Sequence, residues 1–485
     1  MRRAYLATKS VEQLHAELNS ADRLHRVLGP VALTGLGVGA IIGAGIFVLT
    51  GLAARDYAGP SLVLSFVFAG FGCGFAGLCY AEFASMIPVA GSAYTYAYAT
   101  LGELLAWIIG WDLVLEYAIA SCAVAHGWSH YFQALLRIGN VTLPSWMISD
   151  PLSAVPGAAA VAWHIAGIPI IFDLPAAAIV ALVSVVLVIG IRESAGINAA
   201  IVMLKVAVVL FVIFAGIGYV DTANWTPFFP KGFSGTLSGA GYVFFAYIGF
   251  DSVSTHAEEA RNPDRDVPIG ILTSLGICTV LYIAVAAVLT GMVPSSQLDI
   301  DAPIAAAFAV HGQAAITAIV SVAAVAGITS VLLVLLLSQA RVLLAMGRDG
   351  LLPPSVFAAV HPRFRTPYRA TILVGVVVAV VASLLPLKAL ADLVNIGTLF
   401  AFVVVCIAVL IMRYSRPDVR RPFRTPFVPV VPILGILTNF ALMLSLGWEN
   451  WARLLIWLVI GLVIYTYYGV RHSRLRHAEA EGVEA

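Results

Sequence analysis

The sequence predicts an all-α integral membrane protein with twelve membrane-spanning helices, and three observations support this prediction. Hydrophobic residues make up 61% of the 485 positions. Charged residues make up only 11%, whereas a soluble domain carries about 25%. Apolar stretches close to the length that a spanning helix needs, about 20 residues, recur along the whole chain.

The twelve predicted spans follow one another with mostly short connections. They lie near residues 31–54, 60–84, 101–125, 174–191, 197–220, 235–257, 267–292, 313–340, 370–387, 391–412, 427–447 and 454–471. Residues 126–173 are expected to form a long outward connection that begins with the amphipathic sequence HGWSHYFQALLRIG. No loop resembles a soluble domain, so any functional site is expected inside the bilayer.

The basic residues predict that both chain ends lie in the cytoplasm, and the expected location of this multi-pass protein is the plasma membrane. Lys and Arg concentrate in the two terminal segments and in the loops that would then be cytoplasmic, as the positive-inside rule requires. Residues 1–30 carry apolar side chains at helical spacing, which predicts an amphipathic helix on the cytoplasmic membrane surface. Residues 472–485 are expected to form a cytoplasmic tail. The five cysteines all lie in apolar stretches and are interpreted as buried, unpaired side chains.

The first span is rich in glycine, within the sequence GVGAIIGAGIFVLTG at residues 37–51. Each glycine costs about 1 kcal/mol relative to alanine inside a helix. Small residues also let membrane helices pack closely, and for this span alone close packing is the simpler interpretation. The other interpretation is a broken helix whose freed backbone groups line a cavity and bind a polar solute.

The sixth span favours the broken helix. Its sequence GAGYVFFAYIGFDSVSTHAEEA, residues 239–260, is interrupted at Ile248-Gly249 and then turns polar. Two inverted repeats of five spans each would bring the first and sixth spans together at their interface. The sequence therefore predicts two broken helices that face each other at mid-membrane.

Six sequence segments together carry a family resemblance. They are GVGAIIGAGIFVLTG, IPVAGSAYTYAY (87–98), GELLAWIIGWDLVLEY (102–117), FFAYIGFDSVSTHAEEARNPDRDVPIGI (244–271), ARVLLAMGRDGLLPP (340–354) and RRPFRTPFVPVVPILG (420–435). With these segments in order along twelve spans, the chain resembles the amino acid–polyamine–organocation transporters. Within them it is most similar to the bacterial members of the cationic amino acid transporter branch.

The resemblance implies a leucine-transporter-like fold. Ten core helices in residues 31–412 would form two inverted repeats, at about 31–220 and 235–412. Two peripheral helices, the eleventh and twelfth, would occupy residues 413–471. The first and sixth helices would be the broken ones.

The resemblance also implies a substrate site made mainly of backbone groups. The N–H groups of Gly43, Ala44 and Gly45 would bind the substrate carboxylate, at a helix N-terminus that favours anions. The ammonium would bind carbonyl oxygens of Ile41, Ile42, Phe245, Ala246 and Ile248. For the substrate side chain, Leu335 supplies an apolar surface, while Asp251 and Thr255 supply polarity. Small neutral and cationic amino acids are therefore equally compatible with the sequence.

Lys205 stands within the fifth span, where an isolated charge is costly. It either snorkels to the cytoplasm or serves in coupling, and its depth favours coupling. In proton-coupled relatives of this fold, a lysine on the fifth span takes the place of a sodium ion.

In the third span, Glu103, Asp112 and Glu116 predict either a structural hydrogen-bond network or a proton path. Glu103 and Glu116 are accessory candidates, as is Thr255.

The expected function is secondary active import of small neutral or cationic L-amino acids by proton symport. An amino-acid exchanger of the same fold and a transporter-like sensor are the alternatives. No nucleophile–base pair is visible, so we expect no enzyme activity. We also expect no cofactor, no metal site and no nucleic-acid partner; the histidines lack a spacing such as His-Glu-x-x-His. The expected partners are an amino acid, a proton and membrane lipids, and the sequence identifies no small membrane-protein partner.

Overall fold

A computed structural model describes residues 28–86, 92–154, 157–165, 167–190 and 195–480 of the protein. The amphipathic helix expected within residues 1–30 falls almost wholly outside these ranges, as does the end of the cytoplasmic tail. Leu28 pairs with Ala260 in an isolated parallel β-bridge. This bridge joins the start of the first span to the segment after the sixth.

The described chain is almost entirely helical. The longer α-helices are α1 Pro30–Ile41, α2 Leu62–Met86, α3 Ser92–Thr100, α4 Glu103–Ile138, α5 Leu174–Ile189, α6 Ala195–Ile217, α7 Gly232–Val243, α8 Pro263–Met292, α9 Pro303–Val310, α10 Ala314–Arg348, α11 Tyr368–Leu384, α12 Leu387–Ser415, α13 Val430–Ser445, α14 Trp448–Ile464 and α15 Arg474–Ala480. Short α-helical segments are Thr50–Ala53, Ala158–Val161, Ser252–Thr255, Pro354–Phe357 and Val470–His472. Wider π-helical turns occur at Gly45–Leu49, Ala54–Ala58 and Tyr465–Gly469.

A short antiparallel hairpin interrupts the helices between α4 and α5. Strands β1 (Trp163–Ile165) and β2 (Ile168–Ile170) pair with Trp163 opposite Ile170. This hairpin belongs to the connection that the sequence predicted between the third and fourth spans.

Several helices have the length and composition of membrane spans. Among the described residues, seven helices are long and apolar enough to cross a bilayer, and four shorter apolar helices of 10–17 residues accompany them. Large apolar side chains lie exposed on the outside of the bundle, for example Met203 and Phe214 on α6 and Val376 on α11. Exposed apolar surface of this kind is typical of a protein that contacts lipid.

The third span is longer than the sequence analysis predicted. Helix α4 continues to Ile138, so the connection to the fourth span starts at residue 139 and not at 126. Polar residues such as His126 and His130 made this stretch resemble a loop. In the folded chain its inner face is packed; the Tyr131 ring is buried and its hydroxyl donates to the Phe47 carbonyl at 2.7 Å.

The first span is interrupted where the sequence predicted. Helix α1 ends at Ile41, and Ile42 has an extended backbone with φ −72° and ψ 102°. Helical structure resumes as the π-helical turn Gly45–Leu49. The two halves of the span therefore present a helix C-terminus and a helix N-terminus to the interior.

The sixth span is interrupted as well. Helix α7 ends at Val243 and passes through the 3₁₀ turn Phe244–Tyr247 to Ile248, whose ψ is 134°. Gly249 follows with φ +114°, a conformation that side chains with a Cβ rarely adopt. A Cβ at Gly249 would also lie 2.9 Å from the Ala40 carbonyl oxygen.

The two interrupted segments contact each other, and their chains run in opposite directions. A Cβ built on Gly45 would lie 2.3 Å from the Ala246 Cα, while Gly249 contacts Ala40. Going along the first span from Ala40 to Gly45, the contacts on the sixth span go backwards, from Gly249 to Ala246. The first and sixth spans therefore run antiparallel at their contact.

Candidate functional site

A small cavity lies between the interrupted spans. The space between its lining atoms, including its open side, is about 260 Å³. It is lined by Ala40, Ile41, Gly43, Ala44, Gly45, Ala120, Val124, Phe245, Ile248, Val331 and Leu335. Every lining side chain in the described part of the chain is apolar or absent.

Most of the residues proposed from the sequence line this cavity. These are Ile41, Gly43, Ala44, Gly45, Phe245, Ile248 and Leu335. Ile42 and Ala246 lie in the interruptions and are buried, but they are not among the lining residues.

Asp251 is buried and is not among the residues that line the cavity. The Tyr117 hydroxyl donates to its Oδ2 at 2.7 Å. The backbone of Thr255 ends the short helix after Asp251, and its side chain lies outside the described residues. Asp251 is therefore not on the cavity wall, where the sequence analysis expected it to supply polarity, and the expectation for Thr255 stays a prediction.

Four lining residues were not singled out from the sequence. Ala120 and Val124 come from α4, Val331 from α10 and Ala40 from the end of α1. Ala120 and Val124 lie one turn apart on an apolar helix, where nothing in the local sequence distinguishes a cavity wall from helix packing. Val331 lies one turn before Leu335, the residue of this span that the sequence analysis assigned to the site.

Backbone groups supply the polarity of the site. The first N–H groups of a helix lack intrahelical partners, and so do its last carbonyls. The restart of the first span at Gly45 therefore points a partial positive charge at the cavity. At the end of α1, the Ile41 carbonyl already accepts a bond of 2.8 Å from the Tyr282 hydroxyl, which uses one of its two lone pairs.

Lys205 joins three spans beside this cavity. Its Nζ donates to the Gly39 carbonyl on α1 at 2.6 Å, and the side chain is buried. A Cβ on Gly327 of α10 would lie 3.4 Å from the lysine Cγ. The lysine thus lies between α1, α6 and α10 and does not snorkel to a membrane surface.

The acidic residues of α4 lie in two different places. Glu103, at the start of the helix, is about 25 Å along it from Ala120 at 1.5 Å per residue. It accepts bonds from Arg476 and Tyr465, both at 2.8 Å. Asp112 and Glu116 are buried deeper in the bundle. None of the three lines the cavity.

Comparison with known proteins decides the family. A family model described as amino acid permease matches residues 28–470. The chain belongs to this family. The resemblance to the amino acid–polyamine–organocation transporters and their cationic branch is thereby confirmed.

Individual relatives of this permease carry different substrate names. The methylthioribose transporter of Bacillus subtilis is 48% identical over 96% of the chain and 98% of its own length. The branched-chain amino acid permease BcaP of the same organism is 48% identical over 98% of the chain and 100% of its own length. The vacuolar cationic amino acid transporter 2 of Arabidopsis thaliana is 33% identical over 98% and 94%. The family and these relatives are transporters and not enzymes. Membership of a permease family together with several long apolar helices makes this permease a multi-pass membrane protein.

Proposed function

We propose that this permease imports a neutral, apolar L-amino acid of the branched-chain size class. The observation that carries the proposal is the cavity, where backbone dipoles of two interrupted helices meet apolar side chains alone. Dipoles can bind the carboxylate and ammonium that every amino acid shares. The surfaces of Val124, Val331 and Leu335 then remain for an aliphatic side chain.

The same cavity disfavours the other substrate names among the relatives. A cationic side chain would be buried without an acceptor, and burying an unpaired charge is costly. Methylthioribose has hydroxyl groups that need hydrogen-bond partners and lacks a carboxylate for the helix N-terminus. The name of the branched-chain relative therefore matches this chemistry best.

We further propose the topology that this function requires. The permease crosses the membrane twelve times with both ends cytoplasmic, and its first ten spans form two inverted repeats. The antiparallel contact of the two interrupted spans supports this arrangement, because inverted repeats bring equivalent helices together in opposite directions. Residues 413–471 would add the two peripheral spans.

Proton coupling is assigned to Lys205. A protonated lysine donates to the Gly39 carbonyl and ties α6 to α1, as a bound cation would. Loss of the proton removes the charge from this junction and lets the spans separate.

The substrate proposal is tested by uptake into vesicles reconstituted with the purified protein. With the outside acidified, labelled L-leucine should accumulate, whereas L-arginine and methylthioribose should not. Sodium should have no effect, and a protonophore should abolish accumulation. Accumulation of arginine or methylthioribose in place of leucine would contradict the proposed substrate. Uptake only into vesicles preloaded with amino acid would favour the exchanger, and no uptake by a folded protein that binds leucine would favour the sensor.

The coupling proposal is tested with Lys205→Ala. This variant should lose pH-driven accumulation but keep leucine binding and exchange. The reason is that the lysine is not part of the backbone cradle, which we define as the backbone groups of the two interrupted spans that would bind the carboxylate and ammonium. Lys388→Ala is the matched control, since Lys388 is an exposed lysine in another part of the protein. Unchanged proton-driven accumulation in Lys205→Ala, or sodium-dependent uptake by the wild type, would show that the lysine does not couple transport to protons.

A further inference from the structure

We infer that His126, His130 and Asp173 form a binding site for a divalent transition-metal ion, with Zn²⁺ as the best match. The three side chains place a possible ligand atom each within 4.8 Å of one another. The sequence analysis expected no metal site. The two histidines are four residues apart on α4, and the carboxylate comes from the residue that precedes α5.

The two histidines share one face of α4. Residues four apart on a helix are neighbours, and the two imidazole centroids are 4.6 Å apart. Pairs of histidines with this spacing bind zinc in known helical sites. The two histidines follow the cavity residue Val124 by two and six residues along α4.

The cluster contains buried polar atoms without hydrogen-bond partners. Nδ1 of His126 and Oδ2 of Asp173 are two such atoms. The His126 and Asp173 side chains are 4% and 0% exposed, and their Nδ1 and Oδ2 atoms are 3.7 Å apart. Unsatisfied polar atoms cost free energy when buried, and a metal ion would satisfy them.

Neighbouring groups orient the ligands. The other carboxylate oxygen of Asp173 accepts bonds from the Ser129 hydroxyl at 2.7 Å and from the Ala176 N–H at 3.0 Å. Oδ2 is thereby directed at the histidines. Asp301 Oδ1 lies 3.2 Å from Nδ1 of His130. A carboxylate at one ring nitrogen leaves the other, Nε2, for a metal, as in the carboxylate–histidine–zinc arrangement.

The chemistry of the ligands selects the ion. Imidazole nitrogen suits zinc and the later first-row transition metals, whereas Ca²⁺ and Mg²⁺ require oxygen ligands. Tetrahedral bonds of about 2.0–2.1 Å place ligand atoms about 3.4 Å apart, so the observed cluster needs only side-chain adjustments to close. Two histidines and one carboxylate leave a fourth position for water, as in zinc sites with three protein ligands.

Metal binding to the tag-free, full-length permease in detergent tests the proposal without a transport measurement. Titration calorimetry with Zn²⁺ should give one bound ion per chain, and Co²⁺ should give the absorption of a tetrahedral complex. His126→Gln, His130→Gln and Asp173→Asn should each weaken binding by more than about 100-fold, because losing even an outer-shell partner costs 10–100-fold. Asn can still cap α5, which keeps the third variant folded.

His311→Gln is the matched control, because His311 is a half-buried histidine outside the cluster. It should keep wild-type metal affinity. Zn²⁺ should also raise the unfolding temperature of the wild type and of the control, but not of the three cluster variants. A wild-type protein that binds no zinc, or folded cluster variants that bind it as tightly as the wild type, would overturn the proposal.

Discussion

Gly43 and Gly45 are restricted to glycine by contact and not by backbone conformation. Neither residue has a positive φ. A Cβ on Gly43 would lie 2.7 Å from Val331 Cγ2, and one on Gly45 would lie 2.3 Å from the Ala246 Cα. The second contact is with backbone, which cannot rotate away. At the residue scale, the site therefore depends on the absence of a methyl group.

We predict that Gly45→Ala abolishes leucine binding, measured by equilibrium binding to the purified protein. The added methyl group must push apart the two interrupted spans and thus deform the cavity. Gly74→Ala is the control, because no atom lies within 4 Å of a Cβ at Gly74. That variant should bind like the wild type. Wild-type affinity in a folded Gly45→Ala protein would contradict the backbone cradle.

At the scale of elements, Glu103 anchors the C-terminal segment to the start of α4. It accepts bonds from Tyr98, Tyr465 and Arg476 at 2.8–3.1 Å, and the Ser473 hydroxyl also donates to it. The Glu103 side chain is fully buried and that of Arg476 is 14% exposed. This acid was an accessory candidate for transport in the sequence, and its contacts are those of a structural anchor.

We predict that Glu103→Ala lowers the stability of the permease by about 3 kcal/mol, because it removes the carboxylate partner of a largely buried arginine. Unfolding of the purified protein in detergent, followed by circular dichroism, measures the change. Glu449→Ala is the control, since Glu449 forms an ion pair on the exposed surface. Exposed pairs contribute little. Equal stability of the two variants would contradict the anchoring role.

At the scale of the whole molecule, we expect transport to separate the first span from α4. The hydrogen bond from Tyr131 to the Phe47 carbonyl joins these two elements on the side where α4 ends. The rings of the two residues also meet edge to face, with centroids 6.2 Å apart. We expect this junction to stabilise the arrangement in which the cavity is closed on that side.

We predict that Tyr131→Phe shifts the protein toward the outward-open arrangement. A hydrogen bond contributes about 0.5–1.5 kcal/mol, which corresponds to roughly a 2- to 12-fold change in the equilibrium. The measurement is the labelling rate of Val124→Cys by a membrane-impermeant thiol reagent added outside. Tyr467→Phe, at an exposed tyrosine, is the control and should leave the rate unchanged. Slower labelling in Tyr131→Phe would contradict the prediction.

Local patterns in the sequence were sufficient for the class of fold and for the two interruptions. Apolar runs predict spanning helices because a bilayer leaves the backbone no other partner than itself. Glycines at residues 37–51 and the change to polar residues after Gly249 mark where these helices break. These features depend on neighbours in the chain, so they can be read without knowing the contacts between helices.

Contacts between distant residues decided the rest. Ala120 and Val124 line the cavity only because α4 packs against the broken spans, and the length of α4 depends on the packing of its polar end. Glu82 accepts two bonds of 2.8 Å from Arg413, more than 300 residues later. The His126, His130 and Asp173 cluster likewise joins two helices. Hydropathy records how each residue partitions between water and lipid, whereas such pairings depend on how the helices assemble, and only the tertiary structure contains that information.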